Sequence, residues 1–427
     1  MKSFPVSKKK LERRYISEWL FHFYCLIAVL TVFIFLIILL YSIASKGIGA
    51  LWQTQISLPI EFSEAIIDPR KERFADPSVL LKANYNLLVR KSLARKLDIP
   101  DSDHVLLGRA SEMISTTARY RLQKILLADP SLIGKTVEIS LLTNSNVDFA
   151  FKGYTDLSLP ENMRRISNDQ LKWFKKLQSD GSMVLRFNYG FFVNGASSRP
   201  EVAGIGVSVI GSLYMILIVI ALSFPLGIAS AIYLEEFASK GFFSSFIQVN
   251  INNLASVPSV VYGILGSAML INFFNMPRST SLVGGVILSL MTLPSIIIST
   301  GVALRTVPSS IRSAALGLGA SKVQTVFHHV LPLAMPAILT GSTVSLARAL
   351  GETAPLLFVG MIAFVTDYPE GFTDIATAFP VQIYLWAYDA ERSFVEKTFG
   401  AILLLLIFLA VINIAMICLR NRFKKRW

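Results

Sequence analysis

Histidine and cysteine are nearly absent from this chain, four and two residues among 427. That scarcity argues against a zinc site, since no Cys or His spacing matches tetrahedral zinc ligation. Cys25 and Cys418 fall in apolar runs near opposite ends of the chain. They suggest no disulfide framework and predict two small buried apolar side chains. His104 reads as a surface residue, and His328 and His329 as loop residues without an acidic or thiol partner nearby. No G-x-x-x-x-G-K-[ST] occurs. The stretch Gly317-Leu318-Gly319-Ala320-Ser321-Lys322 is glycine-rich but lacks the spacing that wraps phosphates. The chain therefore does not bind ATP in that way. No cluster of His, Cys, Asp and Glu resembles a catalytic centre, which argues against an enzyme.

Charge is scarce too. Only 16% of residues are charged and 53% are hydrophobic, against roughly 25% and 45–50% in soluble domains. The composition is that of a membrane protein with a soluble portion. A net charge of +13 in a soluble protein would suggest nucleic acid. Here much of the surplus stands beside apolar runs, at Lys8, Lys9, Lys10, Arg13 and Arg14 and again from Arg420 to Arg426. Positive charge retained on the cytoplasmic side explains it better, and no nucleic-acid partner is expected.

Residues 1–18 read as a cytoplasmic basic tail and 19–45 as a first transmembrane helix. Ser42-Ile43-Ala44 resembles a signal-peptide cleavage site, but the uncharged run exceeds the 7–15 residues of a signal's apolar region. Residues 46–201 have the composition of a soluble domain, placed outside by the topology. Helical periodicity marks 80–97 and 103–128, where Leu106, Ala110, Met113, Thr117 and Tyr120 share a face. Val137, Ile139 and Leu141 alternate with polar residues as in a strand. Ser167 or Asn168 caps a helix through Leu177, and 183–193 reads as extended. This is a small α+β unit, and its role is not legible.

Residues 202–427 hold five more apolar segments, at 202–234, 254–274, 279–304, from about Met335, and 398–419. The expected fold is an all-α polytopic membrane protein of six spans, both termini cytoplasmic, with the α+β domain inserted between spans 1 and 2. The loops around Lys240 and at 305–332 lie inside, and 366–397 lies outside with 379–386 along the membrane interface. The segment 333–365 is too long for one span of about 20 residues. It holds Pro336 and Pro355, so its helix should bend or end near Pro355. Within it Arg348 and Glu352 are four apart, on one helical face. An Arg inside a membrane segment costs about 2.5–3.5 kcal/mol by insertion scales, so it usually serves a pathway or a partner. The inner loop just before it is predicted to form a short helix through Ala314 and Ala315 and a turn near Gly317 or Gly319. A second short helix through Val323 and Phe327 should stop at Pro332. Such a knob, with Phe327 projecting, fits the groove of a partner.

The run Ala314-Ala315, Gly319, Leu331-Pro332 resembles the EAA loop of binding-protein-dependent ABC permeases. Ser313 stands where that pattern has an acid, and His329 where it has an aliphatic residue. Three further stretches resemble phosphate permeases of the PstA type: Tyr233-Leu234-Glu235-Glu236, Asn253 to Gly263, and Ala347 to Pro355. The likeness runs from about Val202 to Arg420, and residues 1–200 resemble only extended versions of that permease. It implies a bacterial inner-membrane phosphate importer with Arg348 needed for phosphate passage. Beside it, Glu352 either balances Arg348 or accepts from a protonated phosphate oxygen, and Glu352 and Thr353 are further candidates on the substrate pathway. Ala314, Ala315, Gly319, Phe327, Leu331 and Pro332 would form the loop that couples to the ATPase. The implied partners are a second permease subunit of the PstC type, an ATPase dimer of the PstB type that binds the ATP, a periplasmic phosphate-binding protein, phosphate and the lipid bilayer. A permease for sulfate or molybdate is the alternative. Less favoured are a proton-coupled transporter using Glu352 and a membrane sensor.

Overall fold

The computed structural model describes residues 8–73, 78–239 and 241–423. Lys240, residues 1–7 of the basic tail and the basic run beyond 423 lie outside them. Among the described residues five helices are long and apolar enough to cross a membrane, or six if one bent pair counts as a span.

The first helix, α1 (Lys8–Gly47), exposes its Leu, Ile and Phe side chains along its length. A bilayer offers the backbone no water to bond, so a helix that satisfies its own amides can stand bare in lipid. Cys25 lies on it and Cys418 on the last helix, and both are exposed. The expectation of two buried residues was wrong for that reason: an apolar side chain in lipid needs no protein around it.

Between α1 and the next long helix the chain forms a three-stranded antiparallel sheet, β1 (Trp52–Glu61), β2 (Thr136–Leu142) and β3 (Met183–Phe187), in the order β2-β1-β3. Ile56, Leu58 and Ile60 of the central strand alternate toward one face and are fully buried. Helices α2 (Tyr85–Leu97), α3 (His104–Ser111), α4 (Ala118–Ala128), α5 (Ser145–Phe151) and α6 (Asn168–Ser179) complete this unit. Leu93, Leu122, Phe174 and Leu177 join its core. The stretch 103–128 is two helices, not one. Ile114 bridges to Thr143, and the Ser115 amide donates to Leu142 O at 2.9 Å. The Ser115 and Thr117 hydroxyls bond each other at 2.9 Å. Ser and Thr offer the backbone such local alternatives to a helix. The stretch 183–193 is likewise only half extended, because Asn188 accepts from the Phe191 amide at 3.1 Å and starts a short helix.

A buried ion cluster ties this unit to the last span. Lys152 Nζ lies 2.7 Å from Asp148 Oδ2 and 2.9 Å from Glu396 Oε1, and donates to Gly49 O at 3.1 Å. Asp148 Oδ1 accepts from the Thr54 amide of β1 at 2.8 Å. Burial pulls the Lys152 pKa down, but the Asp148 and Glu396 carboxylates outweigh it and hold the amine above its ordinary value. Removing one partner strands buried charge, at about 3–5 kcal/mol. Lys152→Met is therefore expected to lower the melting temperature of the purified chain markedly. Lys152→Arg, which keeps the charge, should lower it less.

The remaining helices are α7 (Gly206–Ile232), α8 (Phe242–Ala255), α9 (Ser259–Gly266), α10 (Ser281–Arg305), α11 (Ser309–Gly317), α12 (Leu331–Gly351), α13 (Ala354–Phe358), α14 (Phe379–Ala387) and α15 (Phe394–Phe423). Met215, Val219, Val283, Ile287, Leu346 and Leu350 pack α7, α10 and α12 together. Three expectations change here. The third apolar segment is a pair, Phe242–Ala255 and Ser259–Phe273, bent by 97° at Pro258. The helix after the inner loop does not stop at Pro332. It runs from Lys322 to Gly351, through a π turn at Thr325–Val330. The wider ring of a π turn gives the proline ring room that an α turn would deny it. Finally, α14, expected along the membrane interface, buries Phe379, Pro380, Val381, Gln382 and Trp386 inside the protein.

Candidate functional site

Helix α12 packs Ile338, Ser342, Ser345, Leu346, Ala349 and Leu350 inward. At three- and four-residue spacing it leaves Ala337, Thr340, Val344, Arg348 and Gly351 uncovered. That stripe is small and partly polar, unlike the Leu, Ile and Phe that cover α1. An ionisable residue at membrane depth faces a bundle interior or a wet cavity rather than lipid.

Arg348 stands in the last turn of α12, where a cation meets the negative end of the helix dipole. Its Nε is 3.5 Å from Glu352 Oε1, with the Arg348 side chain 64% exposed and that of Glu352 19%. The pair is an ion contact on one side of the guanidinium, and the rest of the fork is open. Helix geometry ends at Glu352, whose ψ of 124 is extended. Thr353, half-buried, then caps α13, and its carbonyl accepts from the Leu356 and Leu357 amides at 3.1 and 3.2 Å. The break before Pro355 thus stands as read from the sequence, whereas Glu352, expected on one helical face with Arg348, falls just past the helix end and still meets it. Arg348 is not buried within this chain, however, and whatever encloses it must come from elsewhere.

A second interrupted element meets the first. Arg348 shares a narrow cleft with Leu254, Val257, Tyr262, Thr292 and Ser345, at the bend between α8 and α9. Tyr262 Oη donates to Leu254 O at 2.9 Å and pins that bend. A Cβ on Gly263 would lie 2.7 Å from Pro355 Cα, so the two broken helices touch backbone to backbone. Gly263→Ala is expected to cost about 1–3 kcal/mol through overpacking. A fall in melting temperature measures it; an unchanged value would place the two breaks further apart.

The residues expected to form the coupling loop occupy α11 and the start of the next helix. Ala315 is buried, Ala314 and Gly319 exposed, Leu331 and Pro332 half-buried. Gly319 has φ +88, a left-handed position that favours glycine. Leu316, Leu318, Val323 and Phe327 are exposed, Leu318 by 89%, giving the loop an apolar surface.

Sequence reasoning missed the clamp that holds this loop. Glu236 Oε1 accepts from Arg312 Nη2 at 2.5 Å, while Arg312 also donates to Val307 O at 2.8 Å and Leu304 O at 3.0 Å. Beside it Arg305 Nε donates to Glu235 Oε2 at 2.8 Å. Tyr233-Leu234-Glu235-Glu236 closes an apolar segment and carries part of the family resemblance, and neither feature points to the clamp. Its paired acids, with two arginines 70 and 76 residues later, were the signal available.

Residues 8–161 match a family described as "Domain of unknown function (DUF3333)", and 223–427 match "Binding-protein-dependent transport system inner membrane component". The probable ABC transporter permease protein YqgI of Bacillus subtilis (strain 168) is 31% identical over 176 residues, 41% of this chain and 59% of that one. The chain thus spans less than two thirds of that relative's length. The phosphate transport system permease protein PstA 1 of Mycobacterium tuberculosis (strain CDC 1551 / Oshkosh) is 31% identical over 228 residues, 53% of this chain and 74% of that one. Among solved structures, an inward-facing MetNI methionine ABC transporter aligns with 51% of this chain and 97% of its own, at 17% identity and a TM-score of 0.42.

Proposed function

Because the chain belongs to the binding-protein-dependent ABC permeases of the PstA type, we propose that it is the membrane permease subunit of an ATP-driven phosphate importer. The observation that carries this reading is the uncovered stripe of α12. It presents a permanently charged guanidinium, flanked by small and polar residues, where two broken helices meet. Arg offers a fixed fork of donors that suits a phosphate oxyanion and stays charged at ordinary pH.

In this account a second permease subunit, of the PstC type, packs opposite the stripe and encloses the passage. Phosphate released by a periplasmic binding protein meets Arg348. Glu352 balances that charge when the site is empty, or accepts a hydrogen bond from a protonated phosphate oxygen, and Thr353 lines the same segment. An ATPase dimer of the PstB type grips Leu316, Leu318, Val323 and Phe327, and ATP is bound and hydrolysed there rather than by this chain. ATP-driven closure pushes the loop, and the Glu236–Arg312 clamp passes the push to α7 and α10. The chain sits in a bacterial inner membrane with both termini cytoplasmic and residues 46–201 in the periplasm.

Purification of the tagged chain in mild detergent tests the assembly. A second membrane subunit and an ATPase are expected to come with it, and a chain isolated alone or only with itself would count against the heterodimer. In vesicles made from that complex, unlabelled phosphate should compete with labelled phosphate far better than sulfate does. Equal competition would favour a permease for other oxyanions.

A further inference from the structure

The α+β unit holds an open cavity of about 390 Å³, within the roughly 300–1,000 Å³ range of small-molecule sites. Three arginines line it from three separate parts of the chain. Arg90 comes from α2, Arg119 from the first turn of α4, and Arg199 from the segment leading into α7. Asn86, Ser111 and Thr116 add polar groups between them. Four other arginines of this unit, Arg73, Arg95, Arg109 and Arg165, pair with carboxylates. Among the described residues no carboxylate lies within ion-pair distance of Arg90, Arg119 or Arg199. The backbone beneath them is held. Arg90 is helical beside buried Val89, and the Arg199 carbonyl accepts from the Val202 and Ala203 amides at 3.1 and 3.0 Å. The Arg119 guanidinium stacks 4.4 Å over the Tyr120 ring. Among the described residues no acid lines the cavity; buried Glu201 lies behind it and accepts from the lining Ser115 Oγ at 2.9 Å. Three cations around an open cavity, with one buried anion behind, form a net positive recess, which raises the local concentration of anions.

We propose that this cavity binds a small tetrahedral oxyanion, inorganic phosphate first, at a site separate from Arg348. The choice of phosphate among oxyanions rests on the proposed cargo; the site itself rests on the arginines. The test is equilibrium binding of labelled inorganic phosphate to the full chain purified in detergent. The wild type and Arg348→Ala are both expected to bind it saturably. The triple variant Arg90→Gln, Arg119→Gln, Arg199→Gln should bind at least tenfold more weakly with unchanged helix content. The triple Arg→Lys variant, which keeps the charge, should fall between. Binding that survives the Gln substitutions, or that vanishes with Arg348→Ala, would overturn the proposal. Sulfate bound in place of phosphate, and lost with the same arginines, would sustain the site and overturn the choice of anion. Binding to phosphatidylglycerol vesicles that inorganic phosphate cannot compete with would overturn a soluble ligand.

Discussion

Arg348→Ala is expected to lower phosphate uptake by about 100-fold or more while the complex still assembles. The side chain is 64% exposed, and among the described residues its one ion contact is Glu352, at 3.5 Å, so the fold depends little on it. What it supplies is a set of donors for an oxyanion that has lost its water. A hydrogen bond to a charged group contributes about 1.5–3 kcal/mol, and each 1.4 kcal/mol is about tenfold. Two such bonds to phosphate reach the stated loss. Arg348→Lys keeps the charge but gives up the two-pronged geometry, so its uptake should fall by roughly tenfold. Labelled-phosphate uptake into vesicles, with co-purification as the assembly control, measures both. Uptake by Arg348→Ala at the wild-type rate would remove this residue from the passage.

Arg312→Ala should give a different defect, ATP hydrolysis without transport. Arg312 joins Glu236, at the end of the α7 segment, to the carbonyls of Leu304 and Val307 where α10 gives way to the loop. Its side chain is 24% exposed and that of Glu236 only 9%. The substitution strands the carboxylate and frees the loop from the helices it must move. Uptake is expected to fall at least tenfold with ATPase activity retained. The double variant Arg312→Ala, Glu236→Gln should recover part of the loss, because it no longer leaves a buried charge unpaired. An ATPase rate that falls in step with uptake would mean that the clamp sets assembly, not coupling.

Apolar runs and charge placement made the long helices legible, because a lipid-facing helix must be hydrophobic along its length whatever its neighbours. The Arg348–Glu352 spacing and the interruption before Pro355 were legible for a similar reason, since both are local. What the sequence hid was nonlocal. The 97° bend at Pro258 lies inside an uncharged run that reads as one span. Continuation through Pro332 depends on a π turn, which periodicity does not reveal. The two breaks meet through Gly263 and Pro355, 92 positions apart, and the Glu236–Arg312 clamp spans 76. The burial of α14 comes partly from the next helix and partly from residues distant in sequence, Phe191 and Ile205. Cys25 and Cys418 failed in another way: in a bilayer, apolar does not mean enclosed by protein.

The central claim is that the face of α12 bearing Arg348 borders a wet passage and not lipid. Val344, one turn before Arg348 on that stripe and 69% exposed, can report on it. In an assembled complex carrying Val344→Cys with Cys25→Ser and Cys418→Ser, a water-soluble, membrane-impermeant thiol reagent should label the new cysteine. ATP binding should change the rate of labelling. Labelling only by a lipid-soluble reagent, at a rate indifferent to ATP, would place the stripe against the bilayer and contradict the account.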